Sequence, residues 1–192
     1  MILYHGSPIG GLLELKPFLS EHQKPYLYFT ENPLVALLYA VKPVPKPFSF
    51  YPYGFGKNGE LLYSEYYENA FFDLYHGKRG YLYECRVNRG KFEMPTQIRG
   101  VYTCAEAVKV ESVSEIPDLY AYYREREKTG AFRIRTRREI SEREMDFVRE
   151  EMLGYMREYG LKKLPDHEMS GFIRMRFPEV WEKEQTRLTE KA

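Results

Sequence analysis

Residues 26–40, YLYFTENPLVALLYA, leave the backbone few options. The first five, Tyr-Leu-Tyr-Phe-Thr, are aromatic, aliphatic and β-branched side chains, a composition that suits a half-buried strand. A helix follows almost at once. Asn32 can cap it through its side-chain oxygen, and Pro33 suits the first helical position, where no amide hydrogen is needed. Leu34, Leu37, Leu38 and Val41 then fall on one helical face. Such a strand-to-helix corner holds Tyr28 and Tyr39, eleven positions apart, in a fixed relation. Two tyrosines at a corner can form a flat aromatic slot. A polar partner for it is His5, in Leu3-Tyr4-His5-Gly6-Ser7. A tyrosine taken alone is more often a part-buried core residue; it is the combination that points to a site.

With 192 residues and 43% hydrophobic side chains the chain can bury a core of its own. The net charge of +1 nominates neither nucleic acid nor a membrane surface as partner. Tyrosine is the outlier in composition: 18 in all, 13 of them before Asp118, a supply of flat contact area with polar tips. Cys85 and Cys104 are the only cysteines and have no metal-like spacing. The start, MILYHGSPIGG, has no basic region followed by a long apolar run, and no stretch reaches the roughly 20 apolar residues of a membrane helix. The expectation is a cytoplasmic protein without membrane contact.

Ile2, Leu3 and Tyr4 read as a short strand that opens into a loop at His5. Residues 20–25 read as a surface loop, and residues 41–48, VKPVPKPF, as a rigid proline-rich connection. Two aromatic runs, 48–55 and 60–67, flank Gly56-Lys57-Asn58-Gly59 and predict a hairpin, with a helix as the rival for the second arm. Asn69 is expected to cap a short helix that runs through Tyr75 and is closed by Gly77; residues 81–87 and 108–113 read as strands. From Leu119 the texture turns to long charged helices. Ser141 and Glu144 have capping-box spacing. An apolar stripe of Met145, Val148, Met152, Tyr155 or Met156, and Tyr159 runs to Gly160, and Phe172, Met175, Phe177, Val180 and Trp181 make a second helical face. Strands and long helices do not alternate, so a doubly wound parallel sheet is not expected. The pattern predicts an α+β domain over 1–118 and a charged helical extension over 119–192 packed on it.

His5-Gly6-Ser7, then Tyr28-Phe29-Thr30, then Tyr39 resembles the ADP-ribosyltransferase superfamily, in its His-Tyr-Glu branch of diphtheria-type toxins and poly(ADP-ribose) polymerases. The likeness is close over residues 2–40, thin from there to about 118, and says nothing of the extension. It implies split antiparallel β-sheets with short helices, and NAD as the substrate. It also implies that His5 orients a ribose hydroxyl, that Gly6 and Ser7 hold the nicotinamide amide, that Tyr28 and Tyr39 sandwich the ring, and that Thr30 belongs to the same binding set. The family's glutamate, at the start of a late strand, falls by position on Glu106, just before Ala107-Val108-Lys109-Val110. Glu65, among Ser64, Tyr66 and Tyr67, is the rival, with a pKa raised by desolvation if it is buried. The implied activity is ADP-ribosyl transfer from NAD to an unknown protein or nucleic-acid acceptor, or NAD hydrolysis, with the carboxylate stabilising an oxocarbenium-like transition state.

Other readings stay open. The same fold can serve as a non-catalytic module that grips a nucleotide, RNA or protein, and the aromatic run 48–67 can dock a partner. Residues 124–143 carry eight basic and four acidic side chains. As a strand they would put Arg133, Arg135 and Arg137 on one face fit for phosphates; a charged surface laced with glutamates is the plainer alternative. His22, His76 and His167 have no ligand spacing, so no metal site is expected. Neither cysteine has a base nearby in sequence, which leaves both as ordinary buried thiols. Gly54, Gly56 and Gly59 lack the strand-before, helix-after setting of a phosphate loop.

Overall fold

The computed structural model describes residues 1–19, 25–41, 52–88, 90, 92 and 100–189. In chain order the elements are β1 (Ile2–Ser7), β2 (Glu14–Leu15), β3 (Phe18–Leu19), β4 (Pro25–Thr30), α1 (Pro33–Leu38), β5 (Tyr53–Phe55), β6 (Leu61–Ser64), α2 (Ala70–Tyr75) and β7 (Gly80–Arg86). There follow β8 (Val101–Cys104), β9 (Val108–Lys109), β10 (Ser112–Ile116), α3 (Leu119–Lys128), β11 (Phe132–Arg135), α4 (Glu142–Glu158), α5 (Glu168–Arg176) and α6 (Pro178–Thr189). The fold is α+β with mainly antiparallel sheets. Its compact units are interleaved in sequence: one comprises Met1–Lys42 and Leu74–Thr129, the other Pro43–Asp73 and Gly130–Ala192. The chain therefore divides at three points, none of them at residue 118.

In the first unit β10, β7, β1 and β4 lie side by side in that order, with β8 and β3 also pairing to β4, all antiparallel. Alternation sends Leu3, Leu27, Phe29, Tyr83, Cys85, Tyr102 and Cys104 to one face, where Leu15 and Val87 complete a buried core. On the other face α1 packs with Leu34, Val35, Ala36, Leu37 and Leu38 all buried. As the spacing predicts, Asn32 caps α1: its Oδ1 accepts from Leu34 N at 2.9 Å, and Pro33 opens the helix. Two buried tyrosine hydroxyls reach α1 carbonyls, Tyr123 to Leu34 O and Tyr75 to Leu38 O.

The strand containing His5 runs on to Ser7, past the point where the sequence suggests a loop, because β7 pairs with it over all six residues. Residues 108–113, expected as one strand, split into β9, which pairs with β2, and β10, which pairs with β7. The β8 strand, not expected, pairs with Tyr28 and its neighbours. The loop expected at 20–25 lies outside the described residues except for Pro25, which begins β4; of the proline-rich connection only Val41 is described.

In the second unit β5 and β6 form the expected hairpin across Gly56 and Gly59, with Phe55 opposite Leu61, so the helical rival for the second arm is excluded. Residues 48–51 of its first arm lie outside the described residues. A strand, β11, then pairs with β6 in parallel, where the charged texture suggests helix. Ser141 and Glu144 form the capping box of α4, and Gly160, at φ 60°, follows its end. Met145, Val148, Met152, Leu153 and Met156 are buried with Ile173, Phe177 and Val180 in a second core. Tyr159 and Met175, expected on apolar faces, are exposed; Leu153 and Ile173 take the inward positions.

Candidate functional site around the parting of β1 and β4

The β1 strand is zipped to β7 over six residue pairs, yet to β4 by one, Tyr4↔Thr30. Past that pair the two strands part. The His5 imidazole spans the gap, its Nδ1 2.9 Å from the Tyr28 carbonyl oxygen. A carbonyl only accepts, so Nδ1 carries the proton. Burial lowers the pKa of His5 below the ordinary histidine value, against the opposing pull of that bond, and so favours the neutral ring. A neutral ring protonated at Nδ1 offers Nε2 as an acceptor, suited to a hydroxyl or an amide N–H and unsuited to a phosphate.

The other expected residues divide between the two faces of the sheet. The His5 ring packs against Phe29, centroids 5.8 Å apart, on the core face. Tyr28, level with Thr103, points to the opposite face, which α1 covers. Gly6 has a packing reason of its own: a Cβ there would stand 1.9 Å from the Ala36 carbonyl oxygen, so α1 rests directly on the β1 backbone. Tyr39 is the C-cap residue of α1, half-buried, on the helix that crosses Gly6. Ser7 and Thr30 are buried, and each hydroxyl accepts a local amide: Ser7 Oγ from Ile9 N at 3.1 Å, Thr30 Oγ1 from Asn32 N at 3.1 Å. The structure thus brings His5, Gly6, the Tyr28 backbone and α1 into one neighbourhood, with the imidazole and the Tyr28 side chain on opposite sides of it.

The carboxylates are less gathered. Glu106 precedes β9 as expected, but β9 is a two-residue strand paired with β2, whereas the strand beside Tyr28 is β8. Glu106 lies two positions past the last ladder pair, Leu27↔Cys104, toward the end of β4 where β1 has parted from it. It is exposed, and its backbone is tied back to Cys104: Sγ accepts from Glu106 N at 3.4 Å and donates to Glu106 O at 3.6 Å. At the start of β8 the carboxylate is Glu31, which accepts from the Tyr102 hydroxyl at 2.6 Å. Glu65 is buried in the second unit, where its Oε1 accepts from Phe71 N at 2.9 Å and so caps α2. That cap falls to Glu65 because Asn69, at φ 62°, is left-handed rather than extended as an N-cap residue is. Burial raises the Glu65 pKa, with Asp73 and Glu68 adding to the effect.

Tyr83 is a functional candidate that sequence reasoning misses. It is the Cα partner of His5, fully buried, and its hydroxyl bonds the loop that follows Ser7. Alternation alone marks it only as inward-facing.

The arginine run is held by carboxylates: Arg133 by Glu139, Arg135 by Glu144, Arg137 by Glu142. This favours the charged surface over a phosphate-binding face, and Arg135 with Ser141 brings the Glu144 pKa down to about 2. Cys85 and Cys104 are both free and buried. The β1 and β4 strands lie between their own strands, three spacings of about 4.8 Å, too far for a disulfide. Burial pushes the Cys85 thiol up to about 12, which removes it as a nucleophile near neutrality. Among the described residues no group of three or more His, Cys, Asp or Glu is placed to hold a metal ion, and no helix is long and apolar enough to cross a membrane. Comparison of the chain with protein-family models, curated proteins and solved structures gave no significant match.

Proposed function

We infer that this chain binds NAD where β1 parts from β4 and transfers its ADP-ribose to an acceptor, water being the simplest one. The observation that carries this reading is the neutral His5 imidazole, fixed by the Tyr28 carbonyl with Nε2 left to accept from a ribose hydroxyl. The resemblance over residues 2–40 supplies the rest. It puts Tyr28 and Tyr39 at the nicotinamide ring, with Gly6, Ser7 and Thr30 in the binding set, and Glu106 facing the positive charge that develops on the ribose carbon as nicotinamide leaves. Because the Tyr28 side chain lies on the sheet face opposite the imidazole, NAD has to thread the parting of the two strands to meet both. The bond broken is C1′ to the nicotinamide nitrogen, whose electron pair leaves with nicotinamide; the bond formed is from C1′ to the acceptor, whose proton goes to solvent.

Nicotinamide release from NAD by the purified protein, alone and with cell extract, is the test. Release is expected, and Glu106→Gln should cut it about 100-fold, the usual order for one lost preorganised electrostatic contact, while leaving NAD binding nearly unchanged. Equal release by the two proteins removes Glu106 from the mechanism.

A second reading, a non-catalytic module for a nucleotide, RNA or protein on the same fold, draws support from the carboxylates. Glu65 is occupied in capping α2 and Glu106 is exposed beyond the end of β8. NAD binding without any release would favour it.

A further inference from the structure

The geometry points to Tyr83 as a positioning residue of the β1 site, an inference that rests on the NAD-binding reading above. Its hydroxyl donates to Ile9 O at 2.7 Å and accepts from Leu12 N at 3.2 Å. In a closed four-residue turn those two groups bond each other directly. Here one side-chain oxygen stands between them and sets the width of the segment. Gly11, third of the four residues, has the left-handed φ of 73° that a type II turn requires at that place. The Tyr81 ring packs over Gly10, within 2.5 Å of where a side chain would begin. Two tyrosines of β7 thereby fix the chain that leaves β1.

The link to the site is short. The Tyr83 hydroxyl holds the Ile9 carbonyl, and the amide of the same residue donates to Ser7 Oγ at 3.1 Å. Moving Ile9 turns the Ser7 hydroxyl. Tyr83 is also the cross-strand partner of His5 and lies on the same face of the sheet, so it adjoins one site residue while its hydroxyl orients another. Tyr83 itself is fully buried and has its hydroxyl satisfied twice, which assigns it a role through Ser7 rather than one in contact with substrate.

Calorimetric titration of NAD into the parent, Tyr83→Phe, Ser7→Ala and the double variant tests this, with the fold of each checked by circular dichroism. Phenylalanine keeps the ring and removes only the hydroxyl. Tyr83→Phe should weaken NAD binding about tenfold, the scale of one hydrogen bond, while nicotinamide release at saturating NAD stays within about twofold. In the Ser7→Ala background the same change should have little further effect, a non-additivity that a merely structural residue does not produce. Equal NAD affinity in Tyr83→Phe and the parent, or effects that multiply independently, overturns the positioning role and leaves the NAD reading standing. A parent that binds no NAD at millimolar concentration overturns that reading and the role of Tyr83 with it.

Discussion

Gly6 shows how a residue chosen by motif can have two reasons to be there. Substituting alanine forces a Cβ to within 1.9 Å of a backbone oxygen that cannot swing aside as a side chain can. Gly6→Ala should therefore cost about 3 kcal/mol, the upper end for overpacking, read as a lowered urea midpoint at constant slope. Glu65 carries a prediction of the opposite sign. Its folded pKa is raised above the unfolded value by burial, so the folded state binds more protons, and stability is lost as pH rises from the ordinary carboxylate range through the raised value. Glu65→Gln keeps an oxygen for Phe71 N and sheds the buried charge. It should be more stable than the parent at neutral pH, with the difference between the two shrinking as pH falls through that window; a variant less stable at pH 7 would contradict the desolvation account. At this scale the sequence is informative about chemistry and poor about partners. It suggests that a buried Glu65 would have a raised pKa, but the partner it caps, Phe71, is fixed by the path of the chain between β6 and α2.

Legibility at the level of elements follows the source of each element's stability. The α4 helix is readable because its signals are local: a capping box, a period near 3.6 and a terminal glycine. The β5–β6 hairpin is readable for the same reason. By contrast β8 exists because β4 offers it an edge, and the four residues Val-Tyr-Thr-Cys carry no alternation that would reveal it, since all four are buried. The division of residues 108–113 into β9 and β10 likewise depends on partners, β2 and β7, far away in sequence. The β1–β4 parting, on which the proposed site rests, is a feature of register and invisible in the residues themselves. For α4 the buried stripe makes a quantitative claim: Met152, fully buried in the second core, should cost about 3 kcal/mol on replacement by alanine.

Across the whole molecule the boundary drawn from texture at residue 118 is displaced by the tertiary path. Residues 43–73, aromatic and strand-like, belong with the charged helices, and α3, helical and charged, belongs with the first unit's sheet. A composition shift marks where side-chain chemistry changes; the edge of a core is set by which segments pair. Trp181, the only tryptophan, packs against the second core, whereas Cys85 and Cys104 are buried in the first. Met152→Ala should accordingly lower the urea midpoint of the Trp181 fluorescence transition, and an unchanged midpoint would contradict the assignment of Met152 to the core against which Trp181 packs.

The proposed chemistry turns on the state of His5 at the parting of β1 and β4, and long-range nitrogen–proton NMR of its imidazole measures that state. At neutral pH the ring should be neutral and protonated at Nδ1, with an Nε2 resonance that moves when NAD is added because a hydroxyl then donates to it. An Nε2 that already carries a proton, or one that stays still at saturating NAD, would contradict this reading of His5.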